Sequence, residues 1–249
     1  MQYLKKHSDT PSYRLAFARK LNSLFKFRFN RSILLPSLIF FTFLSLGESV
    51  CAQTQNKIPP HQLKDPLYRE ALAFIEARDY QSAIKSLVLF LEKNPSSDEG
   101  FFLRGKAYHE LGILDKASGD YTKSIELNSS AFKALNNKGL IYGQLRRFDL
   151  AIKSFTTAIS INPQHKESYN NRGVAKVANG DPNGAIKDFT MSIKISDSYL
   201  APVLNRSFVF DMQGKTKEAC KDWKTASHMG SRDAQIWFKE QCKNANQKI

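Results

Sequence analysis

The sequence predicts an all-α protein, an α-solenoid of about five helical hairpins closed by a C-terminal capping helix. Three observations carry this. Ala83, Ala117, Ala151, Ala185 and Ala219 lie 34 residues apart without exception. At the same interval stand the small residues Ala71, Gly105, Gly139, Gly173 and Ser207, and the large residues Leu87, Tyr121, Phe155, Phe189 and Trp223. A fixed period of this length marks stacked supersecondary units rather than a single globular core. Within each period the apolar residues fall at helical spacings in two blocks, which is the pattern of two amphipathic helices.

The chain begins with a basic leader. Residues 1–52 hold eight Lys/Arg against two Asp/Glu, so +6 of the net charge of +14 resides there and +8 in the remainder. Lys5, Lys6, Arg14, Arg19, Lys20, Lys26, Arg28 and Arg31 precede an uncharged apolar run, 32–47, interrupted by Pro36. A bilayer-spanning helix wants about 20 apolar residues, so this shorter run fits the core of a signal peptide better. Val50-Cys51-Ala52 supplies the small or modest side chains that a signal peptidase accepts, and cleavage is expected after Ala52. The expected location is therefore the periplasm or the exterior. Alternatives are an organellar transit peptide, an uncleaved membrane anchor, and a lipoprotein signal at Cys51, which Val50 and Glu48 fit poorly. Residues 53–63, with Pro59-Pro60, read as a polar linker.

The repeats follow as units 64–97, 98–131, 132–165, 166–199 and 200–233. Leu67, Phe101, Leu135, Tyr169 and Val203 take the fourth position, and Phe74, Tyr108, Tyr142 and Phe210 the eleventh. The small residues at positions eight and twenty let the two helices of a hairpin approach closely. Gly112, Gly180 and Gly214 end first helices where a left-handed residue is wanted. Asp181-Pro182 reads as an N-cap with proline at the first helical position, and Asn94-Pro95 and Asn162-Pro163 stop second helices.

Small residues at positions eight and twenty, aromatics at eleven and twenty-four, and proline near thirty-two together resemble the tetratricopeptide repeat family over about residues 64–233. Lys176 and Phe90 depart from that pattern, as do Ser129, Asp197 and Ser231 in place of proline. The resemblance implies a right-handed solenoid whose concave side is lined by the first helices. Each buried large side chain contributes about 1.5–3 kcal/mol, and no hairpin buries both its faces without a neighbour.

Residues 234–249 are expected to form the capping helix and tail, with Ala234, Trp237, Phe238 and Cys242 at helical spacing after a turn at Gly230-Ser231. Cys220 and Cys242 are equidistant from residue 231, and residues equidistant from the turn of an antiparallel helix pair lie side by side. With Cys51 leaving in the signal, two thiols remain, and a Cys220–Cys242 disulfide is expected; two buried thiols are the alternative.

Nothing in the sequence carries catalysis. His7, His61, His109, His165 and His228 pair with no acidic residue or nucleophile in a recognisable arrangement, and no phosphate loop, dinucleotide fingerprint or metal-protease motif occurs. No cofactor and no metal site is expected, and the protein is read as no enzyme.

Two series on the first helices point to binding. Asn137, Asn171 and Asn205 share the sixth position, and Leu140, Val174 and Phe208 the ninth; in the tetratricopeptide family these positions look into the groove. An asparagine offers a donor and an acceptor to the backbone of an extended peptide, and apolar neighbours take alternate side chains. Asn136, Asn170, Phe102, Lys106 and His109 fall on the same broad face. The alternative is structural: the asparagines bridge neighbouring first helices and the ninth residue packs on the next repeat. The family's two-carboxylate clamp is not carried over, because Phe102, Leu140 and Arg206 do not reproduce its spacing. Lys85, Lys153, Lys187 and Lys221 repeat at position twenty-two. Asp188 and Asp222 follow two of them, so that row reads as a solvated face.

The function expected from the sequence is a non-catalytic interaction scaffold that binds a segment of a protein partner in its groove, in the cell envelope. The alternative is a binder of an anionic envelope polymer, cell-wall glycan or lipopolysaccharide, through the basic surface. Nucleic acid is not an expected partner, and membrane contact is expected only through the N-terminal signal.

Overall fold

A computed structural model describes residues 65–242. The leader with its expected cleavage site, the linker and the last seven residues lie outside the described residues. Every regular element described is an α-helix: α1 Pro66–Glu76, α2 Tyr80–Lys93, α3 Asp98–Glu110, α4 Leu114–Leu127, α5 Phe132–Gln144, α6 Phe148–Ile161, α7 Lys166–Ala178, α8 Pro182–Ile195, α9 Leu200–Met212, α10 Thr216–His228 and α11 Arg232–Gln241. The described residues fall into two compact units, 65–129 and 130–242. None of these helices is long and apolar enough to cross a membrane.

The helix ends follow local chemistry. Asp65, Asp79, Ser97, Asp181 and Ser231 each accept a hydrogen bond from a backbone N–H in the first turn of the helix they precede, at 2.8–3.2 Å. Such caps satisfy donors that a helix start leaves without a partner. First helices end in a left-handed residue: Gly112, Gly180 and Gly214 have φ of 78°, 85° and 72°. Arg78 and Arg146 hold the same register with φ of 59° and 60°. An arginine there carries a Cβ penalty that glycine avoids, about 1–2 kcal/mol.

In unit 65–129, Tyr68, Ala71, Leu87, Phe90, Leu91 and Leu103 form a core from α1, α2 and α3. In unit 130–242, three hairpins (α5–α6, α7–α8, α9–α10) stack so that α6 packs on α7, α8 on α9 and α10 on α11. The glycine logic is visible in the geometry. A Cβ built on Gly139 would stand 2.6 Å from Phe155, and one on Gly173 the same distance from Phe189. The aromatic ring of the second helix thus lies on the bare backbone of the first. At the C-terminal end, α11 lays Trp237 against Phe208 and Trp223, with ring centroids 4.8 and 6.4 Å apart.

Candidate functional site

The five asparagines singled out in unit 130–242 form one chain of side-chain amides. Asn205 Nδ2 donates to Asn170 Oδ1 at 2.9 Å, Asn170 Nδ2 to Asn171 Oδ1 at 3.3 Å, Asn171 Nδ2 to Asn136 Oδ1 at 3.1 Å, and Asn136 Nδ2 to Asn137 Oδ1 at 3.3 Å. The ladder runs from α9 through α7 to α5 and joins the fifth position of one hairpin to the sixth of the next. Asn136, Asn170 and Asn205 are buried, whereas Asn137 and Asn171 are half-buried. The buried amides therefore bridge first helices. Leaving one such group without its partner would cost about 1–3 kcal/mol, which explains why they sit there.

The ninth-position row meets a similar fate. Val174 packs with Ala185, Phe189 and Val209, and Phe208 lies in the cluster of Trp223, Cys220 and Trp237. Both are almost fully buried. Leu140 packs against Ala175 and keeps part of its surface. Asn136, Asn170, Asn205, Val174 and Phe208 are thus corrected from groove residues to packing residues, because the neighbouring first helix, or α11 in the last hairpin, covers them. Asn137, Leu140 and Asn171 remain as the accessible part of that face.

In unit 65–129 the predicted residues are half-buried. Phe102 packs at the edge of the α1–α3 core and stands 6.1 Å, centroid to centroid, from the buried Tyr121. His109 meets the same tyrosine edge-on at 6.3 Å. Lys106, on the intervening turn of α3, is half exposed.

Sequence reasoning missed a second polar device. Arg172 grips Asp188 with two hydrogen bonds of 2.9 and 2.7 Å, and its remaining nitrogen donates to Thr156 at 3.1 Å. Arg206 does the same with Asp222, at 2.8 Å twice, and reaches Thr190 at 2.8 Å. Each guanidinium thus ties its own second helix to the preceding one. In the other unit Arg104 and Asp120 repeat the fork at 2.8 Å. Two planar groups meeting in parallel bonds form the strongest kind of charge-assisted pair. A residue separation of 16 with opposite charges, repeated three times, was the available signal. The central hairpin carries Lys138 and Ser154 at these positions and does not repeat it.

One histidine has more company than its sequence neighbours suggest. His165 Nδ1 lies 2.7 Å from Ser168 Oγ, and its Nε2 lies 3.3 Å from a Glu167 carboxylate oxygen. Ser168 Oγ donates its proton to Asn136 at 3.1 Å, so Nδ1 carries the hydrogen toward the hydroxyl. Burial lowers the imidazole pKa, Glu167 opposes that, and Lys133 adds to it. A serine, a histidine and a glutamate within bonding reach invite a hydrolytic reading, but Ser168 is fully buried and its hydroxyl is already committed as a donor. The cluster braces the start of α7 against α5, where Phe132 packs edge-on to the ring at 4.9 Å. Among the described residues no group of three His, Cys, Asp or Glu side chains gathers where it could hold a metal ion.

Cys220 of α10 and Cys242, directly after α11, form a disulfide with their Cα atoms 5.7 Å apart. That separation lies in the usual range for a bridge. It fixes α11 across the end of the stack.

A family model described as tetratricopeptide repeat matches residues 132–165, and a second of the same description matches residues 68–132. No curated protein matches the sequence. Among solved structures, PilF of Pseudomonas aeruginosa superposes with a TM-score of 0.61 at 18% identity, covering 65% of this chain and 74% of its own. MamA of Desulfovibrio magneticus RS-1 gives 0.60 at 15% identity, with 66% and 93% covered. TTC0263, a thermophilic tetratricopeptide-repeat protein of Thermus thermophilus, gives 0.57 at 14%, with 70% and 96% covered. At these identities the likeness is one of fold. The protein is an α-solenoid of helical hairpins, and over residues 68–165 its sequence matches the tetratricopeptide-repeat models. That is the architecture of protein–protein interaction scaffolds.

Proposed function

We propose that this protein is a non-catalytic adaptor of the cell envelope that docks a segment of another protein on the first-helix face of α5 and α7. The observation that carries the reading is the pair Asn137 and Asn171. Both keep part of their surface, and the buried amides behind them hold both side-chain orientations. Amides fixed in this way present donors and acceptors to an extended backbone without first losing rotamer freedom, and pre-organisation of this kind favours affinity. Leu140 beside them offers the apolar contact. Export into the envelope rests on the basic leader and the apolar run that follows it.

Site-specific photo-crosslinking tests this in the full chain. A benzophenone side chain placed at position 137 or 171 should capture a defined protein partner from the envelope fraction, and the same group at the exposed position 235 of α11 should not. Equal capture from all three positions, or none from 137 and 171, would show that the partner binds elsewhere.

A further inference from the structure

The two units differ in charge. Residues 130–242 hold seventeen Lys/Arg against ten Asp/Glu, a net +7, whereas residues 65–129 hold eight against eleven, a net −3. The excess is unevenly placed. On α6, α8 and α10 the exposed charged residues are Lys153, Lys187, Lys194, Lys217, Lys221 and Lys224, with Asp149, Glu218 and the C-terminal His228. Asp149 already accepts from Asn179 at 2.9 Å. Asp188 and Asp222, which follow two of these lysines in sequence, are buried under the Arg172 and Arg206 forks. They do not face the lysines, so the row is not the balanced solvated face that sequence adjacency suggests. The second helices of the other unit are balanced: Lys85, Lys93, Lys116 and Lys123 share α2 and α4 with Glu92, Asp115 and Glu126.

The lysines form faces. Lys187 and Lys194 lie on one side of α8, and Lys217, Lys221 and Lys224 on one side of α10, at the three- and four-residue steps that align side chains along a helix. Exposed apolar residues sit among them, Leu150 one turn before Lys153 and Met191 between Lys187 and Lys194.

We propose that the outward face of α6, α8 and α10 is a docking surface for an anionic phospholipid bilayer. Charge complementarity selects an anionic partner. The exposed Leu150 and Met191 then favour a bilayer over a hydrated linear polyanion. At a membrane they enter the boundary between headgroup and acyl chain, while lysine stems lie on the apolar zone and send their ammonium groups to the phosphates. The cations spread over three helices and converge on no single point, as suits a sheet of headgroups. The first-helix face of α5 and α7 is left free, so the surface is independent of the peptide-docking reading.

Vesicle flotation of the full chain tests the proposal. Vesicles of phosphatidylglycerol and phosphatidylcholine in equal parts are compared with pure phosphatidylcholine, which measures the apolar contribution of the leader, while the leader's basic residues add equally to anionic-vesicle binding in wild type and in both variants below. A lysine near an anionic surface changes partition about fivefold, so Lys153→Gln, Lys187→Gln and Lys221→Gln together should reduce the phosphatidylglycerol-dependent part about a hundredfold. Raising the salt should reduce it as well. The matched variant Lys85→Gln, Lys116→Gln and Lys123→Gln removes the same charge from the other unit and should retain binding. Three outcomes would overturn the proposal: an unchanged triple variant, an equal loss in the matched variant, or tight binding of long-chain polyphosphate with no phosphatidylglycerol-dependent flotation.

Discussion

Removing the Cys220–Cys242 bridge should loosen the capping helix before the hairpins beneath it unfold. The bridge closes a segment with a sequence separation of 22. The chain-entropy relation gives about 3 kcal/mol for a loop of that size, roughly a 150-fold change in the equilibrium between docked and released α11. What α11 loses on release is specific: Ala234 is buried, Trp237 packs on Phe208 and Trp223, and Phe238 packs on the same cluster. The protein contains two tryptophans, and both are in this contact. Tryptophan emission therefore reports the cap, while circular dichroism at 222 nm reports all the helices. In the Cys220→Ser, Cys242→Ser variant, which leaves Cys51 untouched, the fluorescence transition in urea should move to lower denaturant and separate from the circular-dichroism transition. Neighbour-coupled repeats unfold in parts when one interface is weakened, so two separated transitions are the expected signature. If both probes shift together, or neither shifts, the bridge does not hold the cap in the way the packing implies.

Two further substitutions test the packing. Gly139→Ala forces a methyl group toward the Phe155 ring, and the overpacking cost of about 1–3 kcal/mol should exceed the roughly 1 kcal/mol that alanine adds as a better helix former. Urea titration measures the difference, and Gly139→Ala combined with Phe155→Leu should recover most of the loss, since Ala71 and Leu87 hold the same two positions in the first hairpin. His165 has a folded-state pKa lowered by burial, so the unfolded chain binds the proton more readily. The stability His165 contributes is present above pH about 6.5 and is lost as pH falls through its lower folded value. Unfolding of wild type and His165→Gln at pH 7.5 and 5.5 should show a smaller loss on acidification in the variant; equal losses would place the pH sensitivity elsewhere.

The hairpins were legible because their signal compares like with like. Gly139 and Gly173, or Phe155 and Phe189, occupy equivalent positions, and a 34-residue alignment stacks equivalent positions. The contacts between hairpins join unlike positions. The amide ladder pairs Asn136 with Asn171 and Asn170 with Asn205, 35 residues apart, and the guanidiniums of Arg172 and Arg206 reach Thr156 and Thr190 of the preceding hairpin, 16 residues back. An alignment at period 34 shows that asparagines recur without showing which of them touch. Asn205 and Asn171 therefore looked alike as groove residues, although only Asn171 keeps part of its surface. Phe208 misled for a different reason. Its ninth-position neighbour is supplied by α11, which lies outside the repeat period, so the periodic pattern gave no sign that Trp237 would cover it. Asp188 and Asp222 show the complementary error. Each is adjacent in sequence to a lysine, but successive helical residues are about 100° apart around the axis. A buried carboxylate beside an exposed lysine is ordinary geometry once an arginine 16 residues earlier is there to receive it, and the lysine it seemed to neutralise is left to face outward.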